Sequence, residues 1–221
     1  MTEILDFLKD LEANNNREWF DASRDRYEKC RTRFLQFTSE LIAALRLFDD
    51  EIPPLQPKDC MFRIFRDVRF SNDKRPFKTN FGSYMARGGR KSGYAGYYFH
   101  IQPGGIFLSG GVYMPPPEHL QAIRQEIWYH PEAYLAHVGN PDFKAAFTDE
   151  YFDKLRSAPK GYDKSAPHID LVRPRSYAWG KPLEEKDLAS ASLLDESVAA
   201  FRLIFPVNRF LNKAIDENLN G

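Results

Sequence analysis

The sequence predicts an α+β fold: an antiparallel β-sheet core with a central hairpin, flanked by N-terminal and C-terminal helices. Apolar residues recur at helical spacing near both ends of the chain. Apolar and polar residues alternate in the middle, which is the pattern of half-buried strands. Glycine and proline punctuate these strands at intervals that suit short turns.

The N-terminal part of the chain favours helices. Ile4, Leu8 and Leu11 share a helical face, and the asparagines at 14–16 suit the end of one helix and the cap of the next. From Arg17 onward a helical pattern of apolar residues continues to Phe48, before a proline-rich segment. We therefore expect a short helix, a turn and a long helix that covers a sheet.

The central part of the chain favours strands. Phe62 to Phe70 alternates in polarity, and Phe81 to Arg87 and Tyr97 to Gln102 are further strand candidates. Pro103-Gly104-Gly105 then separates two apolar runs, which is typical of a short hairpin loop. A neighbouring hairpin is therefore predicted over residues 95–114.

The C-terminal half returns to helices. A helical pattern follows the prolines at 115–117 and is interrupted at Pro131. The proline- and glycine-rich segment from Ala158 to Pro182 predicts ordered loop with short elements. A closing helix follows from Leu193 to Leu219, with a kink or break expected at Pro206.

Composition narrows the class of protein. The 31 basic and 31 acidic residues cancel, so a dedicated nonspecific DNA-coating protein is disfavoured. Two cysteines without a Cys-x-x-Cys pair, no signal peptide pattern and no long apolar run predict a soluble cytoplasmic protein rather than a membrane protein. Without a composition shift that would mark a linker, we expect a single α+β domain over residues 1–221.

The strongest chemical signal is a local excess of positive charge. Residues 62–91 contain nine lysines or arginines against two aspartates. Clustered guanidinium and ammonium groups suit phosphate or carboxylate. The predicted ligand-binding residues are Arg63, Arg66, Arg69, Lys74 and Lys78. In a strand, Arg66 would lie on the same face as the apolar residues of this segment. We therefore expect it to be largely buried and paired with an acidic side chain, backbone carbonyls or a ligand.

His100 is the candidate acid or base, although a lone strand histidine is more often structural. No histidine pairing indicates a metal site, and no motif indicates a particular cofactor or a covalent nucleophile. The glycines at 88–93 lack the Gly-Lys-Ser/Thr ending of a phosphate-binding loop. The sequence therefore identifies an anion site more readily than a reaction.

Three functional hypotheses stay open. The first is a domain that binds a small phosphorylated or carboxylated ligand, with phosphoryl transfer or hydrolysis as an added hypothesis. The second is a single-stranded nucleic-acid module, because aromatic residues are interleaved with the basic ones. The third is a structural or protein-interaction role, with the cations on a solvated surface. A concave basic pocket would favour the first hypothesis, and a long basic groove the second.

Several blocks of the sequence resemble a known family. They are Asn15-Asn16-Arg17-Glu18-Trp19-Phe20, the segment from Phe62 to Thr79, Gly96-Tyr97-Tyr98 leading to Pro103-Gly104, and Pro159-Lys160-Gly161-Tyr162-Asp163. Together they are similar to the bacterial and fungal family known as domain of unknown function 2461, over nearly the whole chain. The resemblance implies one domain and no particular reaction. Where that family often has Pro-Tyr-Lys-Thr, this chain has Phe77, so a phenolic hydroxyl at this position is not essential.

Overall fold

The computed structural model describes residues 1–69 and 72–219. These residues form helices and one five-stranded antiparallel sheet, which confirms the α+β class. The helices are α1 (Thr2–Ala13), α2 (Arg17–Ala22), α3 (Arg24–Leu45), α4 (Pro57–Cys60), α5 (Pro117–Tyr129), α6 (Pro131–Val138), α7 (Pro141–Ala146) and α8 (Leu193–Leu219). Short 3-10 turns cover Ile169–Leu171 and Glu185–Ala189.

The sheet has the strand order β1-β2-β3-β5-β4. Its strands are β1 (Phe81–Ala86), β2 (Gly96–Ile101), β3 (Ile106–Val112), β4 (Asp149–Glu150) and β5 (Tyr177–Leu183). The β2–β3 hairpin turns through Gln102 to Gly105, where Gly104 has a φ of 71°. The predicted hairpin is therefore confirmed, and its turn uses the positive φ that glycine tolerates.

The strand predicted from Phe62 to Phe70 is wrong over its described part. That part contains one isolated antiparallel bridge, Phe65 to Phe77, and a second isolated bridge joins Met61, the residue just before it, to Ser83. The bridged positions are four residues apart on one segment and six apart on the other, so the ladder cannot stay in register. Phe70 lies outside the described residues.

Two further differences concern helix breaks and a missed strand. The expected long N-terminal helix is divided at Ser23 into α2 and α3, and Asn16 caps α2 by accepting a hydrogen bond from the Trp19 amide at 2.9 Å. Helix α8 continues through Pro206 instead of dividing there.

Strand β5 was not predicted, because Gly180 and Pro182 disfavour a strand.

The chain forms two compact units. Unit 1 comprises Met1–Met85, Tyr98–Leu108 and Pro182–Val198. Its core places α3 against the strands, with the Phe34 ring 5.4 Å from that of Phe81 and 6.0 Å from that of Phe99. Alternation in β2 buries Phe99 and Ile101 in this core.

Unit 2 comprises Ala86–Tyr97, Ser109–Lys181 and Ala199–Gly221. Its aromatic core includes Tyr97, whose ring lies 5.2 Å from that of Phe201, and Trp179, whose ring lies 5.7 Å from that of Phe143. The expectation that residues 1–221 behave as a single domain stays a prediction, which one cooperative unfolding transition would support.

One face of α8 fixes the backbone around the glycine-rich loop of unit 2. Asn212 accepts a hydrogen bond from the Ala95 amide at 2.7 Å and donates one to the Ala95 carbonyl at 3.3 Å. One turn later, a carboxylate oxygen of Asp216 accepts hydrogen bonds from Arg87 at 2.5 Å and Tyr94 at 3.1 Å. The two ends of the loop at 88–93 are therefore held by the same carboxylate.

Candidate functional site

Two aspartates pair with three arginines of the predicted cationic segment. Arg66 pairs with Asp73 at 2.6 Å, and Arg75 pairs with the same carboxylate at 2.7 Å. Hydrogen bonds from Arg75, and in addition from Arg66, hold the pKa of Asp73 well below its usual range. Arg66 thus has the expected acidic partner, although its side chain is 25% exposed and not fully buried.

The other predicted cations of this segment have varied surroundings. Arg69 pairs with Asp67 at 2.6 Å and is 75% exposed. Arg63 is exposed, and Lys74 donates to the Val68 carbonyl at 3.2 Å. The Lys78 ammonium lies 5.8 Å from the centre of the Phe62 ring, within range of a cation–π interaction.

Backbone geometry divides these cations between two faces. The Arg66 amide bonds to the Pro76 carbonyl and the Lys78 amide to the Ile64 carbonyl, so the segment folds back on itself. Opposed residues of an antiparallel pair share a face, and neighbours along each segment alternate. Arg66 and Lys78 therefore lie on one face and Arg63 on the other. The binding of a ligand by all five cations stays a prediction.

His100 lies in a short hydrogen-bonded chain along β2. Its Nδ1 is 2.8 Å from the Tyr98 hydroxyl, and its Nε2 is 3.2 Å from Oε1 of Gln102. The ring stacks on Phe107 with 4.5 Å between centroids. Burial lowers the pKa of His100 to about 4, so the imidazole is neutral at pH 7. A neutral ring accepts from Tyr98 and donates to Gln102, which satisfies both of its nitrogens.

A second group of cations, which was not predicted from the sequence, surrounds a cleft in unit 2. The cleft has a volume of about 510 Å³. Its lining contains four cationic side chains and no carboxylate: Arg156, Lys160, Lys164 and Arg173. The remaining lining is Ser157, Ala158, Pro159, Gly161, Tyr162 and Ile169.

Arg173 fixes one wall of this cleft. Its guanidinium donates to the carbonyls of Leu155 and Arg156 and pairs with Asp170 at 2.7 Å. The other three cations form no ion pair within residues 1–69 and 72–219. The cleft therefore keeps about three uncompensated positive charges in a concave surface.

Tyr162 fixes the wall on the side of α5. Its hydroxyl accepts a hydrogen bond from Gln121 at 3.2 Å, and its ring lies edge-on to Trp128 with 5.1 Å between centroids. Gly161 precedes it with a φ of 92°, a conformation that favours glycine. Burial raises the pKa of Tyr162, so the phenol is neutral at pH 7.

The described parts of the chain contain neither a metal-binding cluster nor a membrane span. No group of three histidine, cysteine, aspartate or glutamate side chains there could hold a metal ion. None of the described helices has the length and hydrophobicity needed to cross a bilayer.

The fold and the cleft define an α+β protein with a concave cationic site. A family described as a conserved hypothetical protein (DUF2461) matches residues 3–210, and the chain belongs to that family. No curated protein and no solved structure matches the chain. The matched range includes residues 159–162, which line the cleft.

Proposed function

We propose that this protein binds a small phosphorylated or carboxylated ligand in the cleft formed by residues 156–173. The observation that carries the proposal is the lining, which combines four cations with no carboxylate in a concave volume of about 510 Å³. Small-molecule sites usually occupy about 300–1,000 Å³ and use a few placed polar groups beside apolar walls. Pro159 and Ile169 supply apolar surface here.

The cleft supports this proposal better than the segment at 63–78 does. Arg66 and Arg69 already pair with Asp73 and Asp67, so a ligand that binds them would have to compete with internal ion pairs. Lys160 and Lys164 are exposed and have no acidic partner in the described chain. An anion that enters the cleft therefore gains charge pairing without breaking existing pairs.

Binding, rather than catalysis, is the function that the geometry supports. The added hypothesis of phosphoryl transfer or hydrolysis assigned a proton exchange to His100. Burial keeps this imidazole neutral, and both of its nitrogens are engaged by Tyr98 and Gln102. His100 is therefore better suited to ordering the hairpin than to exchanging protons with a ligand.

A nucleic-acid module has weaker support. Tyr97, one of the aromatic residues considered for base stacking, is fully buried against Phe201. Phe65 is 47% exposed, but its ring packs 5.5 Å from that of Phe77. Stacking requires open ring faces arranged along one groove, whereas the site proposed here is a cleft without a row of open aromatic rings.

Thermal unfolding with added anions tests the proposal. At low salt we expect pyrophosphate, ADP or citrate to raise the melting temperature of the wild-type protein by roughly 5 °C at a hundredfold excess over Kd. The variant with Lys160→Ala and Lys164→Ala should lose most of this shift, because the ligand loses two cationic contacts.

The matched control is the variant with Lys74→Ala and Lys78→Ala, which removes the same charge from the segment first predicted as the site. It should keep the wild-type shift. If this control loses the shift and the cleft variant keeps it, the ligand binds at 63–78. A larger shift with a short single-stranded oligonucleotide than with any small anion would favour the nucleic-acid hypothesis.

A further inference from the structure

Arg124 of α5 is a buried cation without a carboxylate partner. Its exposure is 8%, and the structure gives it a hydrogen bond from Nη2 to the Pro174 carbonyl at 2.8 Å. Its Nε has no hydrogen-bond partner, and no acidic side chain in the described chain pairs with it. A buried guanidinium in this condition is costly unless an anion compensates it.

Arg124 lies on the face of α5 that Tyr162 covers. Gln121, Arg124 and Trp128 are spaced i, i+3 and i+7, so they form one stripe along the helix. Tyr162 contacts the first and last members of this stripe, through its hydroxyl and its ring respectively. Arg124 therefore lies along α5 between the two residues that Tyr162 contacts, and Tyr162 itself lines the cleft.

The electrostatic surroundings agree with this placement. Burial raises the pKa of Tyr162, whereas the Gln121 hydrogen bond and the charge of Arg124 oppose the rise. The same guanidinium, through its charge and a hydrogen bond, opposes the rise that burial causes in the pKa of Tyr177. Both neighbouring tyrosines are neutral at pH 7, so neither compensates the charge of Arg124.

We propose that Arg124 is the buried anchor of the anion site, reached from the cleft when the Tyr162 side chain moves aside. The inference rests on the proposed function, since the cleft supplies the route for the anion. In the bound state the ligand would accept a hydrogen bond from Nε of Arg124, while Lys160 and Lys164 hold its outer charges. Arg124 is buried, whereas Lys160 and Lys164 are exposed. A ligand that contacts both levels needs at least two anionic groups, so the ligand class is a small molecule such as a diphosphate or a tricarboxylate.

Arg124→Met tests this anchor by replacing the guanidinium with an apolar side chain of similar length. Without ligand, the variant should unfold at the wild-type temperature or above it, because an uncompensated buried charge is removed. With pyrophosphate or citrate, its melting shift should fall below about 1 °C, whereas the wild-type protein shifts by roughly 5 °C.

Arg124→Lys serves as the second variant and decides the question if Arg124→Met does not fold. Lysine keeps the charge but loses the planar donor group, so the affinity for pyrophosphate should fall about tenfold or more by calorimetry. An affinity equal to that of the wild-type protein would overturn the role of Arg124.

The rim variant with Lys160→Ala and Lys164→Ala separates the two proposals. Loss of the anion shift in both the rim and Arg124 variants supports both. Loss in the rim variant alone overturns the anchor and leaves the cleft as the site. Loss in the Arg124 variants alone supports the anchor and overturns the role of the rim lysines. No anion shift in the wild-type protein overturns both.

Discussion

Replacing Gly111 with alanine is expected to prevent stable folding. Gly111 has a φ of 102°, and a Cβ at this position would lie 2.0 Å from the Tyr177 carbonyl oxygen. The obstacle is backbone of the adjacent strand, so a rotamer change cannot relieve it. Backbone strain and displacement together should cost more than about 4 kcal/mol, a large part of the stability of a typical domain.

Far-UV circular dichroism and urea unfolding of Gly111→Ala would measure this effect. Gly105→Ala is the matched control, because it lies in the hairpin turn without a positive φ and an added Cβ would meet no atom within 4 Å. The control should unfold within about 0.5 kcal/mol of the wild-type protein. A Gly111→Ala protein of wild-type stability would contradict the close approach of these two strands.

Acidification should weaken the fold through His100. Burial lowers its pKa in the folded protein to about 4, whereas an unfolded histidine titrates near its ordinary value of 6.5. Above pH 6.5 the neutral imidazole of His100 makes its full contribution to the free energy of unfolding. This contribution decreases as the pH falls from 6.5 to 4, because the unfolded chain takes up a proton that the folded chain does not. The expected loss between pH 7.5 and 4.5 is about 2.5 kcal/mol.

Urea unfolding of His100→Gln at both pH values isolates this contribution. The variant should lose less stability than the wild-type protein on acidification, by about 2 kcal/mol. The exposed His168 supplies the control, and His168→Gln should keep the wild-type pH dependence. An unchanged pH dependence in His100→Gln would show that this imidazole does not titrate differently on folding.

Local sequence patterns account for the parts of the fold that were predicted correctly. Alternation in β2 and the turn at residues 103–105 depend on neighbours along the chain, and the hairpin follows from them. An acidic partner for Arg66 was one of the predicted alternatives, because an uncompensated cation at an apolar position is costly. The alternation of apolar and polar residues that predicted a strand at residues 62–70 could not show that its pairing would shift register between Phe77 and Ser83.

The cleft could not be predicted because its walls depend on contacts between distant parts of the sequence. Gln121 and Tyr162 belong to α5 and to a loop separated from it by two helices and β4. Strand β5 was hidden by Gly180 and Pro182, although its pairing with β4 involves only Trp179 and Gly180. The positive charges of residues 156–173 were visible, but nothing in their spacing shows a concave surface.

The shared carboxylate of Asp216 has a consequence for protein engineering. Because Arg87 and Tyr94 both bond to it, the chain between them begins and ends at a fixed point of α8. An added side chain at Gly89 would meet no atom within 4 Å, so the loop borders open space at this position. Closing a longer loop costs little, about 0.6 kcal/mol for each doubling of its length. Gly89 is therefore a suitable position for inserting an epitope tag or a fluorescent reporter without disturbing β1 and β2.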